Sequence, residues 1–241
     1  MSDILVLAET EGNYLHSTAG ELIAAGRKLA DELGNQVCAV ITDDADESSF
    51  KNLIHLGADK VYVISHAELS KGNIDAFVSY LEQICLQINP NVILTSRTYM
   101  GRNVGARIAY RLESGVAQDC IDVEIDKNSS RVIATRPVYG GNAVARFTFN
   151  QDDPQVIILR VKSFDPNEID TNRDGKISPD ELRIALFSFG IKTDDATAKA
   201  TFAAADTDSS GDVSFEEFSR FVKNGDGDAS KAFKRGLLGV A

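Results

Sequence analysis

Val92-Ile-Leu-Thr-Ser-Arg-Thr-Tyr-Met-Gly-Arg-Asn-Val-Gly-Ala-Arg-Ile-Ala-Tyr-Arg-Leu112 passes from one structural period to another within a few residues. Val92–Ser96 is a short apolar run just after Pro90, which reads as a buried strand. Gly101–Leu112 carries apolar residues three and four apart, which reads as a helix ending near Gly115. A strand feeding into a helix is half of a strand–helix–strand unit, and the same alternation repeats upstream. Strands are expected at Ile4–Ala8, Val37–Thr42 and Val61–Ser65, and helices at His16–Leu33, Ser48–Leu56 and Ile74–Ile88. That order predicts an α/β domain with a parallel, helix-flanked sheet. Downstream, Val116–Ile125, Arg131–Tyr139, Ala143–Phe149 and Gln155–Val161 read as strands. Turn sequences at Asn128-Ser-Ser130 and Gly140-Gly-Asn142 separate them, so antiparallel strands are expected to extend or cap the parallel sheet.

From Asp165 the composition changes. Aspartates cluster, phenylalanines become frequent and strand signals stop. Two domains are expected, 1–164 and 165–241. Val161-Lys-Ser-Phe-Asp-Pro166 joins them without a Gly/Ser or Pro-rich linker, which predicts a stiff junction.

The second region holds two acidic loops of one pattern. Asp170-Thr-Asn-Arg-Asp-Gly-Lys-Ile-Ser-Pro-Asp-Glu181 places oxygen donors at Asp170, Asn172 and Asp174, a turn at Gly175, a backbone carbonyl at Lys176, a hydroxyl at Ser178 and a closing carboxylate at Glu181. Asp206-Thr-Asp-Ser-Ser-Gly-Asp-Val-Ser-Phe-Glu-Glu217 repeats this with Asp206, Asp208, Ser210, the carbonyl of Asp212, Ser214 and Glu217. Such a shell of oxygens suits a hard cation, and the spacing is that of the calcium loop. Two calcium ions are expected, the second site weaker because Ser210 replaces an aspartate. Ile177 and Val213 occupy the same loop position and are expected to pair as a short bridge.

This region, about 164–223, resembles the EF-hand superfamily as an all-α pair. The first entering helix is expected to be short, with Asp165 capping, Pro166 in the first turn and Glu168 completing a capping box. Leu182, Leu186, Phe189, Phe202, Phe215, Phe218, Phe221 and Val222 are the expected core. Part of it becomes a groove if the pair is a sensor, and stays shut in a buffer. The basic, apolar tail Ala229–Ala241 carries Phe233 and Leu237 beside Lys231, Lys234 and Arg235. Its two readings are a helix docked on its own hand pair and a frayed end, the latter favoured by Gly236 and Gly239.

Thr95–Ala109, Thr135-Arg-Pro-Val-Tyr-Gly-Gly-Asn-Ala-Val-Ala145 and Ile4–Glu9 resemble segments of the electron transfer flavoprotein alpha subunit, in its N-terminal domain, over about residues 3–164. The resemblance implies docking to a beta subunit, which in that family carries AMP. It also implies an FAD site built mainly by a C-terminal alpha domain. The glycine-rich and Ser/Thr-rich segments of that domain have no counterpart here, so neither FAD nor AMP is expected in the family manner.

The turn after Val92–Ser96 adds a weaker expectation. Arg97, Thr98, Gly101 and Arg102 lie where a strand end meets a helix start, a place that favours nucleotides or other anions. The competing reading is a turn kept for folding or subunit contact. Arg136-Pro137 and Gly140-Gly-Asn142 are read as hairpin architecture. No catalytic constellation is visible: His16, His55 and His66 are isolated, and no serine sits in a nucleophile elbow.

The chain has 241 residues, 43% hydrophobic and 25% charged, with a net charge of −11. That balance argues against nucleic acid or an anionic membrane as partner. No stretch is apolar for the ~18 residues a membrane span needs, and Met1–Glu9 is too short and lacks the basic flank of a signal peptide. Cys38, Cys85 and Cys120 are separate and lie in apolar runs, so they read as core residues in a reducing, cytoplasmic compartment. The expectation is a non-catalytic calcium-binding protein, whose hand pair makes an alpha-like domain respond to calcium. The alternative is an electron-transfer component that docks a beta-like subunit and shares its flavin or nucleotide. A plain calcium buffer is the third reading.

Overall fold

The computed structural model describes residues 3–69, 73–150, 154–164, 174, 176–188, 191, 195–225 and 227–231. The chain divides into two compact units, Met1–Pro166 and Asn167–Ala241.

In the first unit, β1 (Ile4–Leu7) leads through a small hairpin, β2 (Thr10–Glu11) and β3 (Tyr14–Leu15), into α1 (Thr18–Leu33). Then follow β4 (Val37–Thr42), α2 (Glu47–His55), β5 (Lys60–Ile64), α3 (Ile74–Ile88), β6 (Val92–Ser96) and α4 (Tyr99–Arg111). The remainder is β7 (Val116–Cys120), β8 (Asp122–Ile125), β9 (Val132–Val138), β10 (Ala143–Phe147) and β11 (Gln155–Leu159).

Six strands form one sheet in the order β5-β4-β1-β6-β11-β7, and every neighbouring pair is parallel. From β1 the chain first builds outward through β4 and β5, then returns to place β6 on the other side of β1. The switch point therefore lies between β1 and β6, and their carboxyl ends open the crevice where such sheets hold ligands. Strand period decides what each face buries. Leu5, Leu7, Cys38, Val40, Ile93 and Val156 pack with Phe77, Val78, Leu81 and Cys85 of α3 and Val104, Ile108 and Ala109 of α4. Burying each large aliphatic or aromatic side chain contributes roughly 1.5–3 kcal/mol. On the opposite face α1 approaches closely enough that a Cβ on Gly26 would lie 3.3 Å from Val6.

The expected layout of the later strands needs correction. The stretch read as one strand, Val116–Ile125, is two: Asp119 turns left-handed at φ +62, and β7 ends at Cys120. β7 and β11 are parallel members of the main sheet. Of the strands from β7 to β11, β8, β9 and β10 are the antiparallel ones, and they form a separate sheet in the order β10-β9-β8. Turn residues between strands suggested hairpins, but β11 returns to β6 with Gln155 opposite Val92.

In the second unit, β12 (Lys176–Ile177) pairs antiparallel with β13 (Val213–Ser214), and Ile177 faces Val213 as expected. Around that bridge pack α5 (Pro179–Ser188), α6 (Asp195–Ala205) and α7 (Phe215–Asn224). Their core holds Leu182, Ala185, Leu186, Ala205, Phe218 and Val222, with Phe202 and Phe221 partly buried. Phe215 is a correction: it stands 76% exposed at the first position of α7. The short helix expected at Asp165–Glu168, Phe189, and the tail from Ala232 onward lie outside the described residues. The tail's first turn is described: Ala229 packs on the core, and the buried Ser230 hydroxyl lies 2.8–3.0 Å from the carbonyls of Phe221, Val222 and Gly225 at the end of α7.

Candidate functional site

The second loop is described in full and brings its predicted donors together. One carboxylate oxygen each from Asp206, Asp208 and Glu217 lies within 4.8 Å of the others. Backbone N–H groups hold the first two in place. Ser210 N–H donates to Asp206 Oδ1 at 3.1 Å and to Asp208 Oδ1 at 2.9 Å, and Gly211 N–H donates to Asp206 Oδ2 at 3.0 Å. Gly211 sits at φ +92, a conformation costly for any residue with a Cβ, which explains the glycine.

Glu217 arrives from the first turn of α7. Ser214 caps that helix, and the two residues form a reciprocal capping box. Glu217 Oε2 accepts from Ser214 N–H at 3.0 Å and Oγ at 2.8 Å. Its Oε1 accepts from Thr207 N–H and Oγ1, both at 2.9 Å. The hydrogen bonds from Ser214 and Thr207 hold its carboxyl down at about 2. Ser210 Oγ donates to the Asp212 carbonyl at 2.9 Å, so those two predicted donors also meet.

Of the first loop, Asp174, Lys176, Ser178 and Glu181 are described, whereas Asp170, Asn172 and Gly175 lie outside the described residues. Ser178 N–H and Oγ donate to Glu181 Oε2 at 2.9 and 2.8 Å, which mirrors Ser214 and Glu217. Asp174 Oδ1 accepts from Lys176 N–H at 2.8 Å. Lys176 Nζ reaches Asp212 Oδ2 at 3.3 Å, tying one loop to the other beside the β12–β13 bridge.

The donor chemistry fits a hard divalent ion. All donors are oxygens, three carboxylates converge, and Glu181 and Glu217 are buried at 5% and 7% exposure. Converging carboxylates repel one another, and a cation is what relieves that repulsion.

The turn after β6 is built around a carboxylate of the chain itself. Thr98 caps α4, accepting from Gly101 N–H at 2.9 Å. Its hydroxyl lies 2.6 Å from Glu9 Oε1, and Ser96 Oγ donates to the same oxygen. Glu9, at the end of β1, is 7% exposed. A Cβ on Gly101 would collide with the Ser96 carbonyl and lie 2.7 Å from Glu9 Oε1. The protein's own carboxylate therefore lies at the start of α4, the positive end of that helix. Arg97 turns instead to Asp119, 3.2 Å away, and Arg102 is exposed. Sequence reasoning missed Glu9. Its signal was an acid directly after an apolar strand.

The crevice beside Glu9, about 310 Å³, is lined by Glu9, Thr42, Asp44, Asn73, Phe77 and Met100 among others. Cys38, Cys85 and Cys120 are all buried and unpaired, and burial pushes each thiol up to about 12.

A family model of the electron transfer flavoprotein domain matches residues 4–181, and one of the EF-hand domain pair matches residues 167–223. The electron transfer flavoprotein subunit alpha of Thermoanaerobacterium thermosaccharolyticum is 35% identical over 175 residues, covering 73% of this chain and 53% of that protein. The Bacillus subtilis protein of the same description is 31% identical over 175 residues, 72% of this chain and 52% of its own length. The acryloyl-CoA reductase electron transfer subunit beta of Anaerotignum propionicum is 34% identical over 165 residues, with shares of 59% and 45%. The chain thus spans about half the length of these curated relatives.

Proposed function

This chain belongs to the electron transfer flavoprotein domain family, and on that premise we propose that it is a non-catalytic calcium-binding member in which a hand pair makes an alpha-like domain responsive to calcium. The observation that carries the proposal is the convergence of Asp206, Asp208 and Glu217 on one point at the end of a capped helix. The proposed ligands are Asp206, Asp208, Ser210, the carbonyl of Asp212, Ser214 and Glu217 in one loop. In the other they are Asp170, Asn172, Asp174, the carbonyl of Lys176, Ser178 and Glu181. Calcium supplies positive charge that draws these oxygens off their hydrogen bonds within the loop. Glu217 would then exchange its bonds to Thr207 for the ion, which moves the first turn of α7. A reducing, cytoplasmic setting agrees with three buried, unpaired thiols.

A second reading is supported by the relatives described as alpha subunits. Here the front domain docks a beta-like subunit and shares its flavin or nucleotide. Both readings meet in one experiment: purified beta-like subunit is passed over the immobilised chain in calcium and in chelator. Retention that changes with calcium is the expected result. Equal retention in both conditions reduces calcium to a structural ion, and no retention in either leaves a calcium buffer.

A further inference from the structure

The carboxyl ends of β6, β7 and β11 gather a cationic cluster that the calcium loops do not use. Arg160, just after β11, grips Asp119 with two donors, Nε at 2.9 Å and Nη2 at 2.6 Å. Arg97, just after β6, reaches the same carboxylate at 3.2 Å through Nη1. Arg136 of β9 follows Thr135, whose carbonyl accepts from Ile121 N–H at 2.8 Å, two residues past Asp119; after the Arg160 bonds and the charge of Arg97, its charge also helps hold the Asp119 carboxyl down. Its own position is set by the Phe147 ring, whose centroid lies 5.4 Å from it. Of the nearby acids, Asp122 pairs with Lys28 and Glu124 with Arg146, whereas Glu9 bonds to Ser96 and Thr98 on either side of Arg97, and Glu21 to the N–H groups of Lys162 and Ser163.

Two guanidinium groups bond one carboxylate here, with a third on the neighbouring strand, in a chain whose net charge is −11. The donors are also unspent. Among the described residues, Nη1 of Arg160, Nε and Nη2 of Arg97 and the whole Arg136 guanidinium make no hydrogen bond. The side chains of Arg97 and Arg160 are 48% and 40% exposed, so an incoming ligand can reach them. Asp119, which orients two of the three, holds φ +62, a strained value for a residue with a side chain. Backbone strain of this kind collects at ligand sites.

The geometry points to an oxyanion seat for the phosphate group of a small ligand, held by Arg97, Arg136 and Arg160 and positioned by Asp119. Planar guanidinium forks match phosphate oxygens two at a time, and such charge-assisted bonds are the strong ones. The seat is separate from the start of α4, whose positive end Glu9 already fills.

The test is a titration of the calcium-free full chain with inorganic phosphate and, separately, with ADP. The arginine Nε–Hε resonances are followed by NMR at constant ionic strength. Saturable shifts of Arg97, Arg136 and Arg160 are expected, with affinity weakened about tenfold in Arg136→Gln and in Arg97→Gln. ADP binding more tightly than phosphate assigns the seat to a nucleotide, and equal affinity assigns it to the free anion. Shifts that chloride reproduces, shifts confined to residues 99–102, or affinity unchanged in both variants would overturn the proposal. Tyrosine-monitored unfolding of each variant checks that the fold is retained.

Discussion

Thr98→Val removes one hydroxyl that does two tasks. Valine keeps the shape, so the loss is polar rather than steric. The first task is the helix cap to Gly101 N–H, worth typically ~1 kcal/mol. The second is donation to the 7% exposed carboxylate of Glu9, at 2.6 Å. A hydrogen bond to a charged group contributes roughly 1.5–3 kcal/mol. Together the substitution should cost about 2.5–4 kcal/mol, or about 5–15 °C in Tm for a unit of this size. Urea unfolding followed by tyrosine fluorescence isolates the effect, because all six tyrosines lie in the first unit. Thr98→Ser, which retains both bonds, should recover most of the loss. If Thr98→Val stays within about 0.5 kcal/mol of the parent, or Thr98→Ser is equally damaging, the account of this turn is wrong.

Two more substitutions have signed outcomes. The Thr95 hydroxyl is fully buried beside Gly105 and has no partner among the described residues. Thr95→Val should therefore stabilise the first unit by about 1 kcal/mol in the same urea assay, since it removes an unpaired buried polar group. Glu21 accepts the N–H groups of Lys162 and Ser163 at 2.6 and 3.2 Å, yet burial outweighs these bonds and raises its carboxyl above 4.5. A raised acid contributes stability that is present below its unfolded value and lost as pH rises through the folded one. Glu21→Gln keeps an acceptor for both N–H groups, so unfolding midpoints measured from pH 4 to pH 7 should fall less steeply with pH than in the parent.

The parts most legible in the sequence were those specified by neighbouring residues. Ile74–Ile88 and Val92–Ser96 match the expected limits because Asn73 caps the first and Pro90 separates the two. The calcium loop is local too, since its ligands lie within twelve positions, and the described donors of the second loop converge as that spacing implies. What failed depended on distant partners. The parallel pairing of β11 with β6 and β7 is chosen by burial on both faces, which Gln155–Leu159 reveals only as an apolar run. Glu9 meets Ser96 and Thr98 across most of the first unit, and no spacing rule announces that contact. Phe215 was assigned to the core by its type, yet α7 turns Phe218 and Val222 inward instead.

The central claim is that two oxygen loops hold calcium, and isothermal titration of the full chain with calcium tests it most directly. Two equivalents are predicted for the parent and one for Glu217→Gln, because that change replaces one oxygen of the closing carboxylate with an amide NH2 and removes its charge. Magnesium should release far less heat, since it resists dehydration in so flexible a cage. No calcium binding below about 1 mM, the weak limit of such loops, or two equivalents retained in Glu217→Gln, would contradict the account.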